Sequence, residues 1–400
     1  MALVPDRPLR VLMVAACPFP APQGSQVYVA GLAGALARAG VEVRLLTYPG
    51  GVGEAPAGIR HIACRGIGVA PPIRAGPWAG KFLLNRCLGW ALRDAIASAP
   101  PDLIHAHNIE ALRIAAPLAC AQRIPLIYGM HGLMERELPT YFRSLLLQWA
   151  ARRIGRRLDL DAVQQADAFH TLCPSATQAL IQRGAKVEAI HESSPGIDLE
   201  AFDALAPQMP EDAPGAQNRP LVVYGGNLDG YQDLEILRRA FALLRQAAPL
   251  ARLVLASHAE SGPYDDVRGR WSKEPEARLV RVHGLAEMKA LLLAADILVN
   301  PRSTPGGFPV KLLNYMAAGR AIVSCRGAAE GLLAHEREAL LAPDGDAEAF
   351  AACLKRLAHD AALRHHLSRA ARERVEAEGA WASRANNMIA FYRRILAAGS

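Results

Sequence analysis

Short apolar runs alternate with amphipathic segments along the whole chain. In the first half the runs lie at 10–16, 41–47, 102–107 and 125–129. In the second half they lie at 221–224, 252–256, 279–283, 297–300 and 321–324. Continuous apolar runs separated by helices are typical of parallel strands in a sheet that is covered on both faces. The pattern therefore predicts an α/β protein with two doubly wound parallel-sheet domains.

A segment rich in proline and polar residues, 200–219, separates the two series of runs. It is the best candidate for a domain boundary. We expect an N-terminal domain at 1–200, a C-terminal domain at 201–381 and a last helix at 382–400. Open parallel sheets bind ligands at the carboxyl ends of their strands, so the functional residues should lie in the loops there.

Composition narrows the class of protein. Hydrophobic residues make up 51% of the chain and charged residues 21%, which excludes a disordered chain. No apolar run reaches the length of ~18 residues that a membrane-spanning helix needs. The seven cysteines form no C-x-x-C pair, which argues against a zinc site and a disulfide framework. We expect a cytoplasmic protein, and the net charge of +7 admits an anionic partner without naming one.

The segment 300–319 carries the strongest chemical signal. A predicted strand ends at Asn300, a loop of Gly and Pro follows, and Pro309 suits the first turn of a new helix. The free amides of such a turn form a natural seat for phosphate, and Lys311 falls within it. A solvent-facing lysine is the alternative interpretation.

This segment resembles the donor-site motif of the retaining glycosyltransferases of family 4, which have the GT-B fold. The positions that match are Phe308, Pro309, Leu312, Leu313, Tyr315, Met316, Ala317, Gly319, Ile322 and Val323. The family motif contains two glutamates separated by seven residues, and here Gly306 and Asn314 stand in their places. The resemblance implies two Rossmann-like domains that face a central cleft, with the last helix returning to the N-terminal domain.

The resemblance also assigns residues to a donor site. His131 matches a histidine that meets the donor sugar, and Asn314 can hydrogen-bond the ribose. Gly24 and Ser25 match the N-terminal glycine loop of the family. The other positions assigned to donor binding are Gly226, Asn227, Gly306, Gly307, Phe308 and Pro309.

One departure concerns the diphosphate. The family has Gly-Arg and, a few residues later, Lys, whereas this chain has Asn227 within the segment 224–232. Lys311 and Arg302 are our candidates to supply the missing positive charge. We expect His131, Lys311 and Arg302 to act in catalysis, by electrostatic stabilisation of the departing diphosphate and contact with the sugar.

No metal or other cofactor is required by this scheme. Two D-x-D strings occur, at 159–161 and 344–346, and this string binds metal in the other large glycosyltransferase fold. Asp159 and Asp161 lie in a predicted helix about 200° apart around its axis, so they cannot easily share an ion. We expect both strings to be solvated carboxylates.

Two basic amphipathic stretches, 141–157 and 78–93, leave two interpretations open. Such a helix can lie in an anionic membrane interface, at the inner face of the membrane, where a lipid-linked acceptor would be found. Alternatively, its apolar face packs in the core and its arginines face solvent. No other basic run is interleaved with aromatics, so nucleic acid is not expected as a partner.

The predicted function is that of a retaining glycosyltransferase which moves a hexose or N-acetylhexosamine from a nucleotide-diphosphate donor. The acceptor would be a glycan or a lipid-linked molecule in cell-surface polysaccharide or glycolipid synthesis. Because both motif glutamates are replaced, a non-catalytic GT-B relative that acts in binding or assembly remains an alternative. A sugar-nucleotide epimerase on the same fold is a third.

Overall fold

The computed structural model describes residues 7–21, 23–68, 71, 76, 78, 80–142, 144–207, 220–258, 263–274, 276–303, 308–329 and 331–398. These residues form two compact units. The first unit holds the described residues up to Gly196, together with Phe308 and the C-terminal segment from Trp381. The second unit holds the described residues from Ile197 to Ala380 apart from Phe308.

The first unit is built on a seven-stranded sheet. Its strands are β1 (Arg10–Pro18), β2 (Glu42–Tyr48), β3 (Arg60–Ala63), β4 (Leu103–His107), β5 (Leu126–Met130), β6 (Ala168–Thr171) and β7 (Ile190–Glu192). Every pairing is parallel, in the order β3-β2-β1-β4-β5-β6-β7. The order reverses between β1 and β4, which creates a topological switch point at their carboxyl ends.

Helices cover both faces of this sheet. They are α1 (Gly24–Arg38), α2 (Lys81–Ser98), α3 (Ile109–Gln122), α4 (Met134–Glu137), α5 (Leu145–Gln165) and α6 (Pro174–Gln182). On one face α2 contributes Leu84, Leu88 and Leu92, spaced one turn apart, to a core that it shares with α3 and α5. On the opposite face α1 contributes Tyr28 and Leu32 to a second core.

The second unit repeats the same topology. Its strands are β8 (Leu221–Gly225), β9 (Arg252–Ser257), β10 (Ala277–Arg281), β11 (Ile297–Asn300), β12 (Ala321–Cys325) and β13 (Leu340–Ala342). All pairings are parallel, in the order β10-β9-β8-β11-β12-β13, so the switch point lies between β8 and β11.

The helices of the second unit are α7 (Glu200–Asp203), α8 (Leu234–Ala247), α9 (Pro263–Trp271), α10 (Leu285–Ala294), α11 (Val310–Ala317), α12 (Ala347–His359) and α13 (Ala361–Glu378). The buried faces of α8 and α12 meet over one side of the sheet, where Phe241 and Phe350 are fully buried. Asp346 and Asp360 cap the N-termini of α12 and α13 by accepting backbone hydrogen bonds.

The C-terminal helix α14 (Trp381–Ala398) belongs to the first unit and packs beside α1. Two glycines make room for the indole of Trp381 where the helix begins. A Cβ atom on Gly31 would lie 2.2 Å from that ring, and one on Gly196 would lie 2.4 Å from it. Further along α14, the hydroxyl of buried Tyr392 lies 2.7 Å from Nδ1 of His105 on β4.

The predicted fold class is confirmed, because both sheets are parallel and wound in the doubly wound order. All nine predicted strands are present, and each end lies within two residues of its expected position; β10 is shifted most, since it begins and ends two residues earlier than 279–283. The short strands β3, β6, β7 and β13 were not predicted. Among the described residues, no helix is long and apolar enough to cross a membrane.

One expectation about the D-x-D strings is wrong. Asp159 is not solvated: it is 2% exposed and accepts hydrogen bonds from the backbone amides of Met134 and Glu135 at 3.0 Å each. The carboxylate therefore caps the start of α4, although burial raises its pKa. Asp161 instead forms a surface ion pair with Arg157.

Candidate functional site

The switch point of the second unit brings two loops and one helix together. β8 ends at Gly225 and its neighbour β11 ends at Asn300, and α11 begins ten residues later at Val310. Tyr315 of α11 ties this helix to the strand ends: its hydroxyl accepts a hydrogen bond from the Gly225 amide at 3.0 Å. The same hydroxyl is 3.2 Å from the carbonyl oxygen of Val299. The first turn of α11 is thus fixed beside the β8 loop.

Lys311 extends from this first turn to the end of β8. Its ammonium donates hydrogen bonds to the hydroxyl of Tyr224 at 3.0 Å and to Oε1 of Gln232 at 2.7 Å. It also lies 4.3 Å from the centre of the Tyr224 ring. Within the described part of the chain Lys311 forms no ion pair. Its partners are therefore neutral oxygens that hold the cation without cancelling its charge.

The environment of Lys311 disfavours its charge. Burial, followed by the guanidinium of Arg302, holds the pKa of Lys311 well below its ordinary value, and the carboxylate of Asp229 only partly opposes this. Arg302 is itself 7% exposed and lies with its guanidinium carbon 5.3 Å from the centre of the Tyr231 ring. Two cations therefore share one partly dehydrated site, which is the arrangement that a bound polyanion would stabilise.

The loop after β8 is held by its own amide side chains. Gln232 accepts from Lys311 and donates through Nε2 to Oδ1 of Asn227 at 2.5 Å. Nδ2 of Asn227 donates to Asp229 at 2.9 Å and to the hydroxyl of Tyr231 at 2.7 Å. Asn227 is therefore a structural member of the loop, and its side chain orients the glutamine that receives the lysine.

Gly226 lies at the point where the lysine approaches the loop. A Cβ atom there would lie 2.8 Å from the ammonium nitrogen of Lys311 and 3.2 Å from the hydroxyl of Tyr224. Any larger residue would displace the cation from its two partners. Gly226 thus provides the space through which Lys311 reaches the end of β8.

Other predicted donor-site residues are placed as follows. Asn314 is half-buried on α11, three residues beyond Lys311, and its side-chain amide makes no hydrogen bond within the described residues. Pro309 is buried and immediately precedes the helix. Phe308 groups with the first unit. Gly306 and Gly307 lie outside the described residues.

In the first unit, Gly24 and Ser25 are exposed at the start of α1. His131 follows β5 directly, and its Nε2 lies 3.1 Å from Nδ1 of His107. Its Nδ1 is buried and has no hydrogen-bond partner within the described residues. Burial lowers the pKa of His131 to about 4, so its imidazole is neutral at physiological pH.

His131 belongs to a group of five histidines that the sequence did not reveal as one cluster. The members are His105, His107, His131, His170 and His191, and neighbouring rings lie 4.2 to 5.8 Å apart. Strand register explains the arrangement. His107 on β4 pairs with Gly129 on β5, Gly129 pairs with His170 on β6, and His170 pairs with His191 on β7. Despite this cluster, no group of three potential metal ligands in the described ranges is placed to hold a metal ion.

Gly129 creates the space for this row of rings. A Cβ atom there would lie 2.9 Å from Nε2 of His105 and 3.0 Å from Nδ1 of His107. Burial, followed by the charges of neighbouring imidazoles, lowers the pKa of His105 to about 3 and that of His107 and His170 well below the ordinary value. His170 and His191 were missed from the sequence, because strand pairing, which the sequence does not state, aligns them with the other rings.

Comparison with known proteins identifies the class. The sequence model described as Glycosyltransferase Family 4 matches residues 22–201, and that described as Glycosyl transferases group 1 matches 219–360. A D-inositol 3-phosphate glycosyltransferase from Jonesia denitrificans is 26% identical, with 94% of this chain and 92% of that protein covered.

Solved structures show the same fold. Sucrose-phosphate synthase from Thermosynechococcus elongatus is 21% identical with a TM-score of 0.80, over 97% of this chain and all of that one (100%). HepE from Anabaena, solved in complex with UDP, is 18% identical with a TM-score of 0.71, over 96% of this chain and 98% of that one. The two sequence models together span both units, and the chain belongs to the family 4 type of glycosyltransferases with the GT-B fold.

Proposed function

We propose that this glycosyltransferase uses a nucleoside-diphosphate sugar as donor and transfers the sugar, with retention of anomeric configuration, to a glycan or lipid-linked acceptor. The observation that carries the proposal is the position of Lys311, whose ammonium lies at the end of β8 against Tyr224 and Gln232. In the family pattern a cation from the β8 loop itself serves the diphosphate. Here the helix α11 supplies a cation, Lys311, to the same loop.

Electrostatics explains how such a site would promote the reaction. As the glycosidic bond to the donor breaks, negative charge accumulates on the departing diphosphate. Lys311, Arg302 and the positive N-terminal end of the α11 dipole lie in one region of the second unit and would stabilise that charge. Preorganised groups of this kind contribute roughly 3 kcal/mol each to lowering the barrier.

The remaining roles follow from hydrogen-bonding capacity. The amide of Asn314, which makes no hydrogen bond within the described residues, offers both a donor and an acceptor to a ribose, without the added strength of a carboxylate. Neutral His131 would contact the donor sugar, as the matching histidine does in the family. The departing diphosphate would take the acceptor proton, so the scheme assigns no enzyme nucleophile, metal or other cofactor.

The relatives support the class of donor. The HepE structures were solved with UDP and with UDP-glucose, and HepE shares the fold of both units. The relative from Jonesia denitrificans is named for transfer to D-inositol 3-phosphate. These names support a nucleotide-sugar donor and a hydroxyl-bearing acceptor for this chain as well.

The donor site can be tested by thermal unfolding with a panel of nucleoside diphosphates and sugar nucleotides. A ligand at ~100 times its Kd stabilises the native state by about 2.7 kcal/mol, which for a unit of this size is a melting shift of about 5–10 °C. We expect the shift with one nucleotide, and we expect Lys311→Met to abolish it. The matched control is Lys273→Met, an exposed lysine of the same unit, which should keep the full shift.

Turnover of the identified sugar nucleotide distinguishes the enzyme from the alternatives. Release of the nucleoside diphosphate, together with a product whose glycosidic bond has the same anomeric configuration as the donor sugar by NMR, supports a retaining transferase. Conversion of the donor to a stereoisomer without release would indicate an epimerase. Binding without any turnover would favour a non-catalytic relative, for which the replacement of both motif glutamates by Gly306 and Asn314 is the motivating observation. A thermal shift that survives Lys311→Met would contradict the site assignment.

A further inference from the structure

Large apolar side chains are exposed together at the beginning of α5. Leu145 and Leu146 are 81% and 74% exposed, and Leu147 and Trp149 are each more than half exposed. We call residues 145–149 the apolar tip. Single exposed apolar residues are ordinary, but a contiguous group of this size marks an interaction surface. The structure thus decides between the two interpretations of 141–157 in favour of an apolar group that faces outward.

The packing of α5 fixes this orientation. Its buried stripe consists of small or polar residues, Ala151, Gly155, Asp159 and Ala162, spaced by three or four positions. A Cβ atom on Gly155 would lie 2.3 Å from the carbonyl oxygen of Met134, so the helix rests directly on that backbone. Asp159 adds hydrogen bonds to two amides of the same segment. Rotating the leucines inward would break all of these contacts.

Positive charge follows the apolar tip along the same helix. Arg152, Arg153, Arg156 and Arg157 are exposed, and we call them the arginine band. At ~1.5 Å per residue the band begins about 5 Å beyond Trp149 along the axis. Three of its members and Leu160 line a shallow groove of about 420 Å³. No acidic residue occurs between 138 and 158. Asp161, one turn further along, pairs with Arg157, so the positive charge of this surface comes mainly from the other three arginines.

The helix α2 adds a second exposed apolar group on the same side of the unit. Phe82, Leu83 and Trp90 are each more than half exposed, and α2 and α5 pack on the same face of the sheet. The chain leading into α2 touches the chain leading into α5, since a Cβ atom on Gly76 would lie 2.9 Å from the ring of Tyr141. The two helices therefore begin in the same region of the first unit.

We propose that the apolar tip, the arginine band and the exposed residues of α2 form a surface that docks on an anionic lipid bilayer. Leucine and tryptophan suit the boundary between headgroups and acyl chains, while arginine binds lipid phosphates just above it. Charge complementarity selects this occupant. A symmetric contact with a second copy of the chain would bring arginine bands of like charge together. The proposal goes beyond the donor chemistry and does not depend on nucleotide binding.

Vesicle co-sedimentation of the full chain, without nucleotide, tests the proposal. We expect binding to vesicles of phosphatidylcholine with phosphatidylglycerol, weaker binding at high salt, and little binding to phosphatidylcholine alone. Arg153→Gln/Arg156→Gln should weaken partitioning about thirtyfold, on the basis of about fivefold per basic residue. Leu146→Ser/Trp149→Ser should also weaken it. The matched control is Arg239→Gln/Arg268→Gln, which removes the same charge from exposed positions of the second unit.

Several outcomes would overturn the proposal. One is the absence of binding to anionic vesicles. Another is an equal loss of vesicle binding in the control variant and the arginine-band variant. A third is vesicle binding that neither the arginine-band variant nor the Leu146→Ser/Trp149→Ser variant changes. A dimer in solution that Leu146→Ser/Trp149→Ser converts to monomer would assign the surface to a second copy. Retention by an inorganic phosphate resin with no vesicle binding would assign the arginine band to a free anion. The melting temperature of each variant verifies folding, and an unchanged nucleotide shift separates this result from the fate of the donor site.

Discussion

Acidification should destabilise the first unit, because neutral histidines are buried in the middle of its sheet. His105, His107 and His170 are at most 1% exposed, and their environment lowers the pKa of each. In an unfolded chain a histidine titrates near pH 6.5. As the pH falls below that value, the unfolded chain takes up protons that the native state does not bind. Stability that is present at neutral pH is therefore lost on the acid side.

The magnitude follows from proton linkage. At about pH 5, some 1.5 units below the unfolded pKa, each histidine that stays neutral in the native state lowers the free energy of unfolding by about 2 kcal/mol. Three such residues lower it by about 6 kcal/mol, which is comparable with the whole stability of a typical domain, about 5–15 kcal/mol. We therefore expect loss of the native first unit at mildly acidic pH.

The measurement is proton uptake on urea unfolding in weak buffer near pH 5.5, followed with a pH electrode. Each buried neutral histidine should account for about 0.9 protons under these conditions. His105→Gln keeps a hydrogen-bonding side chain beside Tyr392 but cannot titrate, so uptake should fall by about 0.9 protons. His365→Gln removes an exposed histidine on α13 and should leave uptake unchanged. Equal uptake by His105→Gln and the parent protein would refute the reasoning.

Three further predictions concern single positions. Gly129→Ala places a methyl group against two imidazoles and should lower the free energy of unfolding, measured by urea titration, by about 1–3 kcal/mol. Gly89→Ala on α2 should not destabilise, because its Cβ atom would meet only Ile114, at an ordinary contact distance of 3.5 Å. Asp159→Asn weakens the buried cap of α4 and should lower the free energy of unfolding, followed by thermal melting, by about 1–3 kcal/mol. Asp161→Asn removes only a surface ion pair and should change this free energy by no more than about 0.5 kcal/mol. Nucleotide binding should be accompanied by proton uptake that increases with pH, because the pKa of Lys311 is depressed in the free protein and a bound polyanion raises it. Calorimetry in buffers of different ionisation enthalpy measures that uptake, and an enthalpy independent of buffer would contradict it.

The central strands could be predicted because they are covered by helices on both faces. Every residue of β4, β5 and β8 is buried. β5 and β8 therefore give uninterrupted apolar runs, and β4 gives one broken only by His105 and His107. Edge strands leave a weaker pattern. β3, for example, has exposed ends, and β7 has only three residues. Their pairing depends on neighbours that are distant in the chain, and no local pattern reports it.

The candidate site could be predicted only in part for the same reason. Lys311 was identified because a loop, a proline and a new helix follow one another in sequence. Its partner Gln232 is 79 residues away on another loop, so the contact between them requires the fold. Asp159 was assigned to solvent because it and Asp161 point in different directions from a helix and cannot share an ion, whereas the amides it caps come from a separate segment. In each case the missing information is tertiary contact.

The hydrogen bond between Lys311 and Gln232 also constrains how this site can change during evolution. Introducing a lysine at position 232 while Lys311 is present would bring two ammonium groups to within about 3 Å, where like charges repel strongly. Removing Lys311 first would leave the β8 loop without its only cation from α11. Each single substitution therefore disturbs the contact that holds this loop against α11. The two positions are therefore epistatic, and lineages that carry this pair should retain or lose it together.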